Sequence, residues 1–512
     1  MTQSALISKV WNFAGVLRDD GVSYGDYLEQ ITYLLFLKMV DELSKPPYNK
    51  SLKLPHLKDV EGKEISDSEI CNWETLRQKR GGALEAFYSQ MLRSLATEKG
   101  ILGQIFTKSQ NKIQDPAKLL KVIDMIDKEQ WTMIGADVKG DIYEGLLQKN
   151  AEDTKSGAGQ YFTPRSLIKA MVECVQPKPK RTICDPSCGT GGFFLAAYDF
   201  IEKNHKLDKE EKKFLKNQTF YGNEIVANTR RMCLMNMFLH NIGEIDGETF
   251  ISSADALISK DSDNYDYVLA NPPFGKKSSM SSTNEEGIQE KEDLSYNRQD
   301  FWASTSNKQL NFLQHIKSLL KIHGEAAVVL PDNVLFEGGS GETVRKELLK
   351  TTELHTILRL PTGIFYAHGV KANVLFFTNK PASKHAWTKE VWIYDYRTNI
   401  HHTLKKKTMS FEDLKDFIDC YNPQNRDKRK ETWSEDNPEG KWRKYSYDEI
   451  MARDKTNLDI FWLRDKSLAD LDNLPEPDEL AAEILVNLEA GLESFREIVN
   501  VLEEEGGKKG AP

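Results

Sequence analysis

The chain is predicted to be an α/β protein. Its centre is a Rossmann-like domain, preceded by a helical domain and followed by a helical extension. Three observations predict this. From Ile183 onward short apolar runs alternate with helical patterns, as in a parallel sheet with crossover helices. The first run, Arg181–Cys184, feeds a glycine-rich turn, Asp185-Pro-Ser-Cys-Gly-Thr-Gly-Gly192. A later run, Tyr267–Ala270, ends on Asn271-Pro-Pro-Phe274.

At 512 residues the chain exceeds one ordinary core, so several domains are expected. They are read as a helical domain over 1–150, a catalytic domain over 151–400, an extension over 401–475 and a heptad helix over 476–506. In the first, Tyr27–Val40 is dense in apolar residues and free of Gly and Pro, which reads as a buried helix. Pro46-Pro47 opens a loop, and Lys155-Ser-Gly-Ala-Gly159 marks the boundary ahead of the sheet. Strands are expected near 181–184, 219–223, 248–251, 267–270, 325–330, 355–360 and 373–378. The polar stretch 275–309 reads as a substrate-contacting loop or lid. Ala481, Leu485, Leu488, Leu492, Phe495, Val499 and Leu502 form a seven-residue repeat between Pro477 and Gly506. A surface helix packed on its own domain needs only an apolar stripe, so the strict repeat favours a helical partner.

Composition narrows the function classes. Hydrophobic content is 39% and charged content 29%, with no apolar run of membrane-spanning length and no signal-peptide layout, so no membrane role and a cytoplasmic location are expected. The six cysteines make no CxxC pair and no zinc-like spacing with histidine, so no metal site is expected. The net charge of -9 argues that any grip on DNA comes in good part from a partner, since phosphate binding needs basic surface.

The glycine-rich turn departs from the dinucleotide pattern by opening on an acid. A carboxylate repels phosphate but suits the cationic amino-acid end of S-adenosylmethionine, the cofactor expected here. Asp185, Ser187, Gly189, Thr190 and Gly191 are the candidate residues of the turn. Glu224, after the next strand, is placed to read the ribose hydroxyls, and Asp255, after the third, the adenine amine. Upstream, Gln160, Tyr161, Phe162 and Thr163 could cover the cofactor, the Thr163 hydroxyl meeting its carboxylate. As a bland alternative, Thr163 simply caps the helix that Pro164 opens.

Asn271-Pro-Pro-Phe274 alone would be an ordinary turn. In a sheet of order 3-2-1-4-5, however, the strand before it lies beside the first strand, which would put Asn271 next to the Asp185 turn. An exocyclic amine is a poor nucleophile because its lone pair is delocalised into the ring. The Asn271 side-chain oxygen and the Pro272 carbonyl can accept its hydrogens and localise that pair, Pro273 stiffens the turn, and Phe274 stacks the base. Such stacking is worth roughly 1–3 kcal/mol, and the base must first leave the duplex. Asn271 thus belongs to both the catalytic and the cofactor set, with Pro272 and Phe274 in the catalytic one. The methyl would pass in line from sulfonium to nitrogen, without a covalent intermediate. No Pro-Cys dipeptide of the cytosine-carbon methyltransferase type occurs.

With these motifs the chain resembles the modification subunit of type I restriction-modification systems over most of its length. The resemblance rests also on Tyr33–Lys38, Asp141–Leu147, Gly159–Pro164, Val329–Phe336, Leu360–Phe365 and Gly369–Phe377. It implies methylation of the adenine amino group in double-stranded DNA within a split recognition sequence. It also implies a specificity subunit joined by two copies of such a chain, and a separate translocating restriction subunit. Alternatives are an amino-methyltransferase acting on RNA or protein glutamine, whose members are shorter, or a non-catalytic assembly subunit. A fused nuclease lacks any motif.

Overall fold

The structure, a computed structural model, describes residues 24–131 and 163–465 apart from short breaks, with Leu17, Val22 and five positions between 481 and 492. In chain order the helices used below are α1 (Tyr24–Ser44), α2 (Trp73–Gln78), α3 (Gly81–Ala96), α4 (Gly100–Phe106), α5 (Pro116–Asp127), α6 (Arg165–Val175), α7 (Gly192–Asn204), α8 (Lys209–Asn217) and α9 (Ala227–Leu239). The strands are β1 (Ile183–Asp185), β2 (Phe220–Asn223), β3 (Ile251–Ser252), β4 (Tyr265–Ala270), β5 (Ser279–Thr283), β6 (Gln289–Asp293), β7 (Leu320–Pro331), β8 (Thr352–Arg359), β9 (Ala372–Asn379), β10 (Glu390–Asp395) and β11 (Trp442–Ser446).

Two compact units emerge, one of residues 1–158 with 176–270, the other of 159–175 with 271–512. In the first, α1 buries Tyr27, Leu28, Ile31, Leu34, Leu35, Phe36 and Leu37, so it is apolar nearly all round and packed on several sides. Asp115 caps α5 through the Ala117 N–H and Pro116 sits in its first turn, a combination that starts helices well. The strands of this unit run in the order β3-β2-β1-β4 and pair in parallel, the order expected of a doubly wound sheet. Ile183 lies opposite Phe220 on one side and Tyr267 on the other. Asp266 locks the start of β1 to β4, accepting the Thr182 N–H at 3.0 Å and the Thr182 hydroxyl at 2.9 Å.

In the second unit the order is β11-β10-β8-β9-β7. Strand β9 is antiparallel to both neighbours and buried at every position. Strands β10 and β11 extend the sheet beyond the predicted set. Val391-Trp-Ile-Tyr394 is a buried β-branched and aromatic run, the composition that favours strands. Within 275–309 the chain forms the antiparallel hairpin β5–β6 rather than an irregular loop alone. The six cysteines are free thiols. Among the described residues, no helix is long and apolar enough to cross a membrane.

Candidate active site

The turn after β1 is held by its neighbours. The Cys188 N–H donates to the Asn223 carbonyl at 3.0 Å and the Gly191 N–H to the Cys188 carbonyl at 2.8 Å. Gly189 and Gly191 have φ of +54° and +82°, a region costing other residues roughly 1–2 kcal/mol. A Cβ at Gly189 would meet nothing within 4 Å, so the turn leaves open space there. A Cβ at Gly191 would come within 3.0 Å of the Cys233 sulfur. Two further residues shape the turn. Asn236 of α9, fully buried, donates to the Thr190 carbonyl at 3.0 Å. Gly222 of β2 lets Asp185 and Phe194 approach, since a Cβ there would lie 2.9 Å from the Asp185 carbonyl oxygen and from the Phe194 ring.

Asp185 is buried, and one carboxylate oxygen accepts the Ser187 N–H at 3.0 Å and its hydroxyl at 3.4 Å. Burial outweighs those donors and, with the charge of Glu224 adding to it, pushes the Asp185 carboxyl up to about 7. Glu224 follows β2 and is joined to the next strand by its N–H, which donates to the Ser252 carbonyl at 2.9 Å. Its carboxylate accepts the N–H groups of Val226, at 2.7 Å, and of Gly189, yet burial still raises it. The next two side chains, Ile225 and Val226, are 59% and 43% exposed, an apolar step beside the acid that the sequence reading passed over. Asp255 accepts the Leu257 N–H at 2.9 Å and so closes a local turn.

The tetrapeptide belongs to the second unit. Asn271 donates through its side-chain N–H to the Thr163 hydroxyl at 2.8 Å, which orients the amide. Its Oδ1 is buried and, among the described residues, accepts no hydrogen bond. Such an orphan costs roughly 1–3 kcal/mol, a cost that a ligand N–H would remove. Phe274 is buried, and Phe365 meets it edge-on at a centroid distance of 5.5 Å and 73°. Thr163 is therefore the described residue of its segment with a visible role, while Gln160, Tyr161 and Phe162 lie outside the described residues.

A largely buried charge network braces the same unit. Arg397 grips Asp332 through two bonds of 2.6 and 2.7 Å, donates to the Ala372 and Leu360 carbonyls at 2.9 Å, and reaches Asn373 at 3.2 Å. Burial alone would raise the Asp332 carboxyl, but Arg397 and the Asn373 amide hold it below the usual carboxylate range. At the far end of the chain, Ala481, Ile484, Leu485, Leu488 and Leu492 are helical. Leu485, Leu488 and Leu492 are 60%, 65% and 53% exposed, while Phe495, Val499 and Leu502 lie outside the described residues.

The family model for N-6 DNA methylase matches residues 135–460, and that for the HsdM N-terminal domain matches 6–126. The chain is 38% identical to the methylase subunit of the type I restriction enzyme EcoKI of Escherichia coli K12, over 98% of this chain and 96% of that one. It is also 38% identical to the StySJI methylase subunit of Salmonella typhimurium, over 95% and 93%. The crystal structure of the EcoKI M protein aligns over 99% of this chain and 97% of that one, with a TM-score of 0.52 and 32% identity. A modification subunit of Vibrio vulnificus shares the fold, with a TM-score of 0.64 at 23% identity over 92% and 99%.

Proposed function

The chain belongs to the N-6 DNA methylases, among the methylase subunits of type I restriction enzymes, and we propose that its two sets of site residues serve one reaction on the adenine amine. Methylation of adenine N6 in DNA is the activity of this family. S-adenosylmethionine, the donor expected of the fold, supplies an electrophilic methyl group. The assignment of the acceptor side is carried by the buried Oδ1 of Asn271, which accepts no hydrogen bond among the described residues. With the amide pinned by Thr163, that oxygen accepts one adenine amino hydrogen and the Pro272 carbonyl the other, while Phe274 provides apolar surface for the base.

On the donor side, Gly189 leaves room for the ligand, with Ser187, Thr190 and Gly191 shaping the turn. Glu224 receives the ribose hydroxyls, Ile225 packs on the adenine ring, Asp255 meets its amine, and Asp185 faces the ammonium group. Gln160, Tyr161 and Phe162 complete this set.

Titration with S-adenosylmethionine tests the donor side. Asp185 starts raised, near 7, and a cation beside it favours the charged form, pulling that value back down. Binding should therefore release protons, and affinity should fall as pH drops through about 7, by up to about tenfold per pH unit. Calorimetry at pH 6 and 8 should show the difference in the wild type and lose it in Asp185→Asn. Equal affinities at both values would remove Asp185 from the site.

The four segments 1–150, 151–400, 401–475 and 476–506 are assigned here as helical, catalytic, extension and assembly parts. Within the cytoplasm, two copies of the chain would join one specificity subunit on double-stranded DNA, with a restriction subunit added for cleavage. The exposed Leu485, Leu488 and Leu492 support the assembly role. Deleting 478–512 is expected to weaken co-purification with the specificity subunit; undiminished capture would exclude that helix.

A further inference from the structure

Helix α9 has two working faces. One carries Cys233 and Met237, which pack against Gly191, and Asn236, which donates to the Thr190 carbonyl at 3.0 Å. The other carries Arg231 and Phe238, turned to the N-terminal helices. Phe238 packs on Phe36 of α1 at 5.1 Å. Arg231 is buried, and its guanidinium donates in three directions: Nε to the Ile105 carbonyl at 2.6 Å, Nη1 to Glu29 at 2.5 Å, and Nη2 to the Thr107 carbonyl. It also lies over the Tyr33 ring, 5.2 Å from its centroid. Glu29 and Tyr33 belong to α1, and Ile105 and Thr107 to the end of α4 and the residue after it.

These bonds are directional, unlike apolar packing, which tolerates sliding. A planar fork held on three sides fixes where α9 sits against α1 and α4. The helix is 13 residues long and unbroken, so the constraint at Arg231 is passed to Asn236 about one and a half turns on. We propose that Arg231 is a positioning residue for the cofactor turn, through which the N-terminal helices set cofactor affinity by way of α9 and Asn236. The proposal rests on the assignment of Gly189–Gly191 to S-adenosylmethionine made above. The helical start of the chain then helps to adjust the site, beyond supporting it.

The test uses the full-length chain carrying Arg231→Lys, Glu29→Gln, Asn236→Ala or the Arg231→Lys/Asn236→Ala pair, titrated with S-adenosylmethionine and assayed for transfer. Lysine keeps the charge but cannot reproduce the fork. Arg231→Lys should raise Kd and KM for the cofactor about tenfold while kcat changes less than about twofold. Glu29→Gln should move in the same direction. In the Asn236→Ala background, where the link to the turn is already cut, adding Arg231→Lys should change Kd by less than about twofold. Additive effects would overturn the proposal. So would an unchanged Kd with a smaller active fraction, or insolubility of both Arg231→Lys and Glu29→Gln, each marking a folding role alone. Absence of binding by the wild type would refute the cofactor assignment itself, and this proposal with it.

Discussion

Asn271→Ala is expected to cut methyl transfer by about 10²–10³-fold or more while changing cofactor affinity by less than about tenfold. The side-chain oxygen has no donor among the described residues, so its proposed contribution is to the reacting amine. The amide N–H contributes differently, by holding Thr163 at 2.8 Å. Asn271→Asp keeps an acceptor but replaces the donor that faces Thr163, and should fall between wild type and alanine. Single-turnover assays at saturating cofactor separate the two effects. Equal losses in affinity and rate for Asn271→Ala would mean that the residue acts on the cofactor side instead.

Arg397→Met should destabilise the second unit by about 3 kcal/mol, near the lower end for breaking a buried pair, because both partners keep slight exposure. Asp332 would be left without the guanidinium that satisfies both of its oxygens. The corner after β7 and the start of β9 would lose their shared brace, since the Asp332 N–H donates to the Lys371 carbonyl and Asn373 donates to Asp332. In a unit of this size the midpoint should fall by roughly 6–12 °C. The Asp332 carboxyl is depressed in the folded state, so its contribution is present above the ordinary carboxylate range and lost as pH falls through the folded value. The gap between wild type and variant should therefore narrow below about pH 4. A thermal melt at neutral pH within 2 °C of wild type, a bound of about 1 kcal/mol or less, would show that the network carries little stability.

How much of this was legible in the sequence depended on the kind of signal. Helix α1 stood out because an unbroken apolar stretch without Gly or Pro has few other uses, and it is buried along most of its length. The parallel order around β1 followed from strand–turn–helix alternation and the strand order of doubly wound sheets. Strands β10 and β11 escaped notice because the motifs used as landmarks stop before them, at Phe377. Their pairing is set by Trp392, Tyr394 and Trp442 packing together, a long-range effect.

At the site, Gly189, Gly191 and Asn271 announced themselves by type and spacing. Asn236, Gly222 and Arg231 did not. Each is a single residue inside an otherwise ordinary helix or strand, and its importance lies in what the fold brings against it. A buried asparagine or arginine within an apolar helical face was the available clue, since such groups are costly unless partnered. Motifs such as Val329–Phe336 and Gly369–Phe377 were visible as patterns, but their physics is the Asp332–Asn373–Arg397 brace, which no spacing rule reveals.

This chain is proposed to methylate adenine N6 in DNA through Asn271. Co-expressing the full chain with its specificity subunit in a host free of other adenine methylation, and sequencing the host DNA for N6-methyladenine, tests it most directly. The wild type should modify one split sequence throughout the genome, and Asn271→Ala, at equal expression, should leave that sequence unmodified. Full modification by the Asn271→Ala variant, or no modified sequence with the wild type, would contradict the account.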